Sequence, residues 1–169
     1  MSIIRIIGVI VAIIITISYN AFFVVDERQK ALVLQFGQIK AVKENPGLAF
    51  KIPLIQEVVR YDDRILSLDT QPLEVTPLDD RRLVVDAFMR YRITDVVQFR
   101  QAVGTGGTLS AEKRLERILN AALREVLGSV GSNEILSEGR VSLMEQIRDD
   151  AIAEAVSLGI EIVDVRIKR

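Results

Sequence analysis

The stretch RRLVVDAFMRYRITD, Arg81 to Asp95, alternates apolar and polar side chains through most of its length. In an extended chain, Leu83, Val85, Ala87, Met89, Tyr91 and Ile93 share one face, and Asp86, Arg90, Arg92 and Thr94 share the other. That pattern predicts an antiparallel strand with one side in a core and one in water. The period then changes. Thr94 or Asp95 stands where a side chain caps a short helix through Phe99 and Ala102, and GTGGT, Gly104 to Thr108, ends it.

Beyond that break the helical period continues. Ser110 is placed to cap a longer helix with Leu115, Ile118, Leu119, Ala122 and Val126 on one stripe, stopped by Gly128 and Gly131. A further helix is predicted from about Ser137 to Leu158, with Val141, Met144, Ile147, Ala151 and Ala155 inward and Gly159 as its C-terminal cap. IEIVDVRIK, Ile160 to Lys168, returns to strand period.

On the amino-terminal side, EVVRYDDRILSLDTQPLEVTPLDD reads as short strands broken at Pro72 and Pro77. DERQKALVLQFGQI sets Leu32, Leu34 and Phe36 against Val33 and Gln35, with Gly37 interrupting, and GLAFKIP is a second strand candidate. Turn chemistry around Asn45, Pro46 and Gly47 predicts that these two form a hairpin. Strands, then helices, then a returning strand make an α+β order.

The start of the chain is different in kind. From Ile6 to Val25, IIGVIVAIIITISYNAFFVV carries no charge, and about 20 residues at 1.5 Å each match the roughly 30 Å of a hydrocarbon core. A transmembrane helix through Ile6, Val11, Ile15, Phe22 and Val25 is expected, with Tyr19, Phe22 and Phe23 near an interface. The run is longer than a signal-peptide core and lacks a small-x-small site, since Tyr19 and Asn20 precede Ala21. Arg5 lies on one side and Arg28 and Lys30 on the other, so charge alone leaves the orientation open. The expected division is residues 1–25 as a membrane anchor and 26–169 as one domain, mainly strands over 26–94, helices and the closing strand over 95–169.

Immediately after the anchor, NPGLAFKIPLIQEV, Asn45 to Val58, is too apolar for an ordinary loop. Two readings stand. Leu48, Phe50, Ile52, Leu54 and Ile55 face lipid or a neighbouring subunit, with Lys51 snorkelling, or they fill a small β core. The core reading has more weight for Phe50 and Ile52 than for Leu54 and Ile55.

Composition removes many chemistries. The 169 residues carry a net charge of -1, and the basic ones are scattered rather than striped, which argues against nucleic acid as a partner. No cysteine and no histidine occur, excluding thiolate nucleophiles, disulfides, Ser-His-Asp triads and HExxH zinc sites. GTGGT lacks the Gly-Lys-Ser/Thr of a phosphate loop. Ser110 and Lys113 are three apart, as in a Ser-Lys dyad, but an N-cap serine beside a solvated lysine is the commoner meaning. The pairs Asp62-Asp63, Asp79-Asp80 and Asp149-Asp150 point apart, as neighbours in strands and helices do, so they make poor acid-base pairs. Asp62 and Arg64 share a strand face and are expected to form a structural ion pair. Arg140, Glu145, Arg148 and Asp149 give the last helix a mixed-sign outer face. No catalytic, cofactor-binding or metal-binding residue is assigned.

Three stretches carry a family likeness: VVDERQKALVLQFGQI, NPGLAFKIPLIQEVVRYDDRI and SLGIEIVDVRIK. In that order, with the anchor before them and the Asp62-x-Arg64 step between, they resemble the SPFH or band 7 superfamily of stomatin, prohibitin, flotillin, HflK and HflC. The likeness covers essentially the whole chain. An anchor that starts almost at Met1 without a glycine- or proline-rich tail, and the lack of cysteine, resemble the HflC branch. Ala49 departs from the histidine often found in PGLHFKIP, and the long charged helix that follows the closing strand in the family is missing, so the chain reads as truncated before it.

What the resemblance implies is a single-pass scaffold in the bacterial inner membrane, with its amino terminus cytoplasmic and its bulk periplasmic. It implies a hetero-oligomeric ring or cage with an HflK-like paralogue around an FtsH-like AAA+ membrane protease, limiting which substrates reach it. No cofactor is implied, and the chain would regulate a protease without being one. A membrane-anchored hydrolase of Ser-Lys type and a single-pass receptor for a periplasmic ligand are the alternatives.

Overall fold

The computed structural model describes Gly8, residues 21–136 and residues 139–168. The chain divides into two compact units, Met1–Asp63 and Arg64–Arg169. Ile6, Val11 and Ile15 lie outside the described residues.

In the first unit β1 (Phe22–Val25) pairs antiparallel with β4 (Gly47–Phe50), and β2 (Gln29–Gln35) lies between β3 (Gln38–Lys43) and β5 (Gln56–Asp62). The two sheets share a core: Phe23 and Val25 pack with Ala31 and Val33, against Ala41, Ala49 and Val58. Alternation explains the inward set, because Phe23 and Val25 are buried while Phe22 and Val24 are exposed. β2 departs from alternation. Ala31, Leu32, Val33 and Leu34 are all buried, as expected of a central strand covered on both faces.

Three expectations are corrected here. GLAFKIP does not pair with the ALVLQFG strand, because β4 is taken by β1 in the register Phe22↔Phe50, Val24↔Leu48. The residues Phe22 and Val25, expected at the end of a membrane helix, therefore stand in a strand; Val25 is buried in the core. Phe36 is not in β2. It and Gly37 form a two-residue turn with φ of 50° and 81°, Gln35 facing Gln38 across it, the backbone of a tight hairpin in which both central residues are left-handed.

The second unit is built on the sheet β10 (Ile160–Ile167), β9 (Ala87–Ile93), β6 (Leu66–Asp69), all antiparallel, with β7 (Leu73–Val75) and β8 (Leu83–Val85) as a separate pair. The Arg81–Asp95 stretch is thus two strands, broken at Asp86, although Val85, Ala87, Met89, Tyr91 and Ile93 are buried on one face as the alternation predicts. Thr70 fixes the neighbouring edge. Its N–H and its hydroxyl both donate to the Ala87 carbonyl, at 3.0 and 2.9 Å.

Among the described residues four α-helices complete the unit: α1 (Val96–Val103), α2 (Gly107–Gly128), α3 (Ser132–Leu136) and α4 (Arg140–Ala155). Asp95 caps α1, its carboxylate accepting from the N–H groups of Val97 and Gln98, both at 2.9 Å. Ser110 does not cap α2. The helix already runs from Gly107, and Ser110 lies one turn inside it, so near Gly106 that a β-carbon there would meet its hydroxyl at 1.9 Å. α2 buries Leu115, Leu119, Leu123 and Leu127 completely, each worth about 1.5–3 kcal/mol of transfer free energy.

The last helix starts later than expected; it turns the expected Ile147, Ala151 and Ala155 inward with Met144 half-buried, but puts Leu143 in the core in place of Val141. Its buried stripe is Leu143, Ile147, Ala151 and Ala155, while Val141 is 61% exposed. At 100° per residue Val141 lies well away from Leu143 around the helix, so only one of the two can face the core. After Ala155 a single 3-10 turn, Val156–Leu158, leads to Gly159 in the left-handed region, where it caps the helix and opens β10.

A candidate membrane-facing apolar end

β1 and β4 bury one face and expose the other. The outward set is Phe22, Val24, Leu48 and Phe50, of which Leu48 is 71% exposed. Phe22 and Phe50 face each other across the register, their rings edge to face with centroids 5.8 Å apart. This is a formed aromatic contact on a solvent-facing surface.

The apolar surface continues beyond β4. Lys51 donates its N–H to the Ala21 carbonyl at 2.8 Å, prolonging the β1–β4 pairing by one step. A closed loop follows, in which Ile52 N–H donates to the Gln56 side-chain carbonyl at 2.7 Å and Gln56 N–H donates to the Ile52 carbonyl at 2.9 Å. The loop holds Ile52, Leu54 and Ile55 out. Leu54 is 97% exposed and sits at a φ of 70°, a region bulky side chains avoid.

All five residues singled out in the sequence, Leu48, Phe50, Ile52, Leu54 and Ile55, are therefore exposed, and the core reading of Phe50 and Ile52 is not the arrangement adopted. The small core that needed filling is met by Phe23, Val25, Ala31 and Val33 instead. The structure adds Phe22, Val24 and Phe36 to the exposed apolar set. Phe22 and Val24 were not legible as outward positions, because FFVV is apolar at every residue and the alternation lies in burial alone.

Asp62 closes β5, half-buried, and Arg64 begins the second unit, exposed. At the same corner Lys30 pairs with Asp63 at 2.9 Å, and Asp63 N–H donates to the Arg28 carbonyl at 2.8 Å; neither contact is visible in residue spacing.

Ser110 and Lys113 both lie within α2, and Lys113 is exposed. Asp79 is engaged structurally, accepting from the N–H of Ser132 at 3.2 Å and from its hydroxyl, and this bonding holds its carboxyl below the usual carboxylate range. Burial pushes the Tyr91 phenol up, and Glu112 beside it adds to the shift. Among the described residues no group of three or more carboxylates gathers as a metal site would require. The mixed face of α4 is partly committed, since Arg140 donates to the carbonyls of Ile167 and Lys168 and so holds the end of β10.

Comparison with known proteins gives this arrangement a family. The SPFH domain / Band 7 family profile matches residues 23–169, from the second residue of β1 to the end of the chain. The chain belongs to the SPFH domain / Band 7 family. Among its curated relatives, Protein HflC of Haemophilus influenzae is 32% identical over 172 residues, covering 95% of this chain and 57% of the relative. Modulator of FtsH protease HflC of Escherichia coli K12 is 30% identical over 205 residues, covering 95% of this chain and 61% of the relative. Protein HflC of Buchnera aphidicola is 31% identical over 170 residues, covering 89% and 55%. The chain thus spans somewhat over half the length of these relatives. Among the described residues no helix is long and apolar enough to cross a membrane.

Proposed function

We propose that this SPFH chain works as an HflC-like membrane scaffold that regulates an FtsH-like AAA+ protease and is not itself a protease. With an HflK-like paralogue it forms a hetero-oligomeric ring or cage, whose wall decides which membrane proteins reach the enclosed enzyme. Its place is the bacterial inner membrane, crossed once by residues 1–25 less the strand at their end, with the amino terminus cytoplasmic and the bulk periplasmic.

The observation that carries this reading is the apolar end of the first unit. The uncharged sequence that begins at Ile6 enters the fold at Ala21, whose carbonyl is bonded to Lys51, at the root of the exposed Ile52–Ile55 loop. An apolar loop beside the point where such a segment arrives is suited to the interfacial layer. The name Modulator of FtsH protease, borne by a relative at 30% identity, supports the regulatory half of the reading. An Asp62–Arg64 ion pair remains part of the proposal as a contact of the fold.

The test is co-purification from native membranes in mild detergent or nanodiscs, with sizing and identification of the members by mass spectrometry. A large particle holding a second SPFH subunit and an AAA+ protease is the expected result. A small, protease-free species, under conditions that keep other membrane complexes whole, overturns the regulatory reading and favours a ligand receptor.

A further inference from the structure

Two bulky residues in the first unit combine a left-handed backbone with nearly full exposure: Phe36, 84% exposed at a φ of 50°, and Leu54, 97% exposed at 70°. Either feature alone is common enough. Together they gain nothing for the isolated fold, because a β-carbon in that region is strained and an apolar side chain in water returns no burial energy.

Strand register brings the two to the same end of the unit. Gln35 is paired with Gln38 on one side and with Gln56 on the other, so the Phe36–Gly37 turn and the Ile52–Ile55 loop project from neighbouring strands, one strand spacing or about 4.8 Å apart at their roots. The Ala21–Lys51 bond brings the uncharged amino-terminal sequence into the base of that same loop. The hairpin itself carries no charge from Ala31 to Ile39, and the first charge beyond it is Lys40, which suits a headgroup region.

We propose that the Phe36–Gly37 turn is a second lipid-inserting wedge, entering the interfacial layer beside the Ile52–Ile55 loop. The inference rests on reading the apolar end as lipid-facing and adds to it a residue from a different hairpin. Two loop tips and the chain's own entry point give three points of attachment, which fix the tilt of the unit on the bilayer where one tether would leave it free to pivot. The strain at Phe36 is offset only when the ring meets lipid, so stability in solution and membrane contact separate at this residue.

The chain has no tryptophan, so Phe36→Trp supplies a single indole. The full chain is reconstituted into phosphatidylcholine vesicles, with and without lipid brominated on the upper acyl carbons, and emission is compared with quenching by aqueous iodide. Blue-shifted emission that is lost with brominated lipid and resists iodide is expected. Leu54→Trp is measured alongside. Lipid quenching at position 54 with a water-exposed indole at 36 overturns this inference alone, whereas water exposure at both removes the lipid-facing reading beneath it. A blue-shifted indole at 36 that bromine does not quench means a protein surface covers it, and also overturns the proposal. A second variant, Phe36→Asn, keeps a residue tolerant of the left-handed turn. Its urea midpoint is expected to equal or exceed that of the parent; a fall shows that Phe36 packs within the fold and overturns the wedge.

Discussion

Gly159 lies against Asp95 so closely that a β-carbon on the glycine would sit 2.5 Å from the Asp95 carbonyl oxygen and 2.9 Å from the Phe99 nitrogen. The contact is bonded as well as tight, since the Gly159 carbonyl accepts from the N–H groups of Thr94 and Asp95 at 3.1 and 3.2 Å. One residue thus joins the end of β9, the start of α1 and the start of β10.

Gly159→Ala should cost about 2 kcal/mol or more, summing left-handed strain with a backbone clash. Gly131→Ala is the control: its β-carbon meets nothing within 4 Å and its φ is not positive, so it should be neutral or stabilise by up to about 1 kcal/mol. Urea unfolding of both in the same detergent checks this, and equal midpoints would contradict the account.

Ile147 and Val141 test which face of α4 is inward. Ile147 is fully buried and Val141 is 61% exposed. Ile147→Ala should destabilise by about 2–5 kcal/mol, the range for a large-to-small core change, and Val141→Ala by no more than about 0.5 kcal/mol. Equal losses would mean that both faces of the helix are covered.

These two positions also show what the sequence could and could not tell. The second unit was legible where one period dominates: β9 reads from alternation alone, Asp95 from its place before an apolar run, and Gly159 from its place between a helix and a strand. α4 offered Val141, Leu143, Met144 and Ile147 close together, and several rotations of the helix bury some of them. In the first unit the individual strands were visible but their partners were not, because pairing β1 with β4 is a contact between segments more than 20 residues apart. The uncharged run to Val25 read as one helix because a membrane span and an apolar strand draw on the same residues; only the alternation of burial from Phe22 to Val25 tells them apart. Exposure of the Leu48–Ile55 residues was legible as a question about apolar excess. Phe36 was not, since a turn with both residues left-handed favours Asn-Gly and a phenylalanine there breaks the pattern.

The Asp79–Ser132 pair predicts a pH dependence. Ser132 is buried and bonds Asp79 through both its N–H and its hydroxyl, while Leu78 N–H donates to the Val130 carbonyl at 3.1 Å beside them. The carboxyl is held below its ordinary 3.8, with the Ser132 hydroxyl the main cause. A folded-state pKa below the unfolded one contributes stability that is fully present above the unfolded value and lost as pH falls through the folded value. Ser132→Ala should therefore lower the urea midpoint near neutral pH, and the gap from the parent should narrow as pH drops below 3.8. A gap that holds constant into acid would mean the serine acts through packing, with no part played by the Asp79 charge.

The outward face of β1–β4 allows a test of orientation that leaves the fold intact. Phe22, Val24, Leu48 and Phe50 point away from Phe23, Val25 and Ala49 by strand alternation, so replacing an outward residue removes no core packing and should shift stability by less than about 0.5 kcal/mol, except at Phe50, where loss of the ring contact with Phe22 adds about 0.5–1.5 kcal/mol. The chain lacks cysteine, and Leu48→Cys, Phe50→Cys and Leu54→Cys each give one site for a nitroxide. In vesicles, labels at these positions should relax faster with oxygen, which concentrates in acyl chains, than with a water-soluble nickel chelate. A label at Glu57→Cys, on an exposed residue of β5, should show the opposite preference. If 48 and 50 follow the nickel reagent while 54 follows oxygen, only the loop tip meets lipid and the sheet face is left for a neighbouring subunit. Nickel preference at all three would place this end of the unit in water.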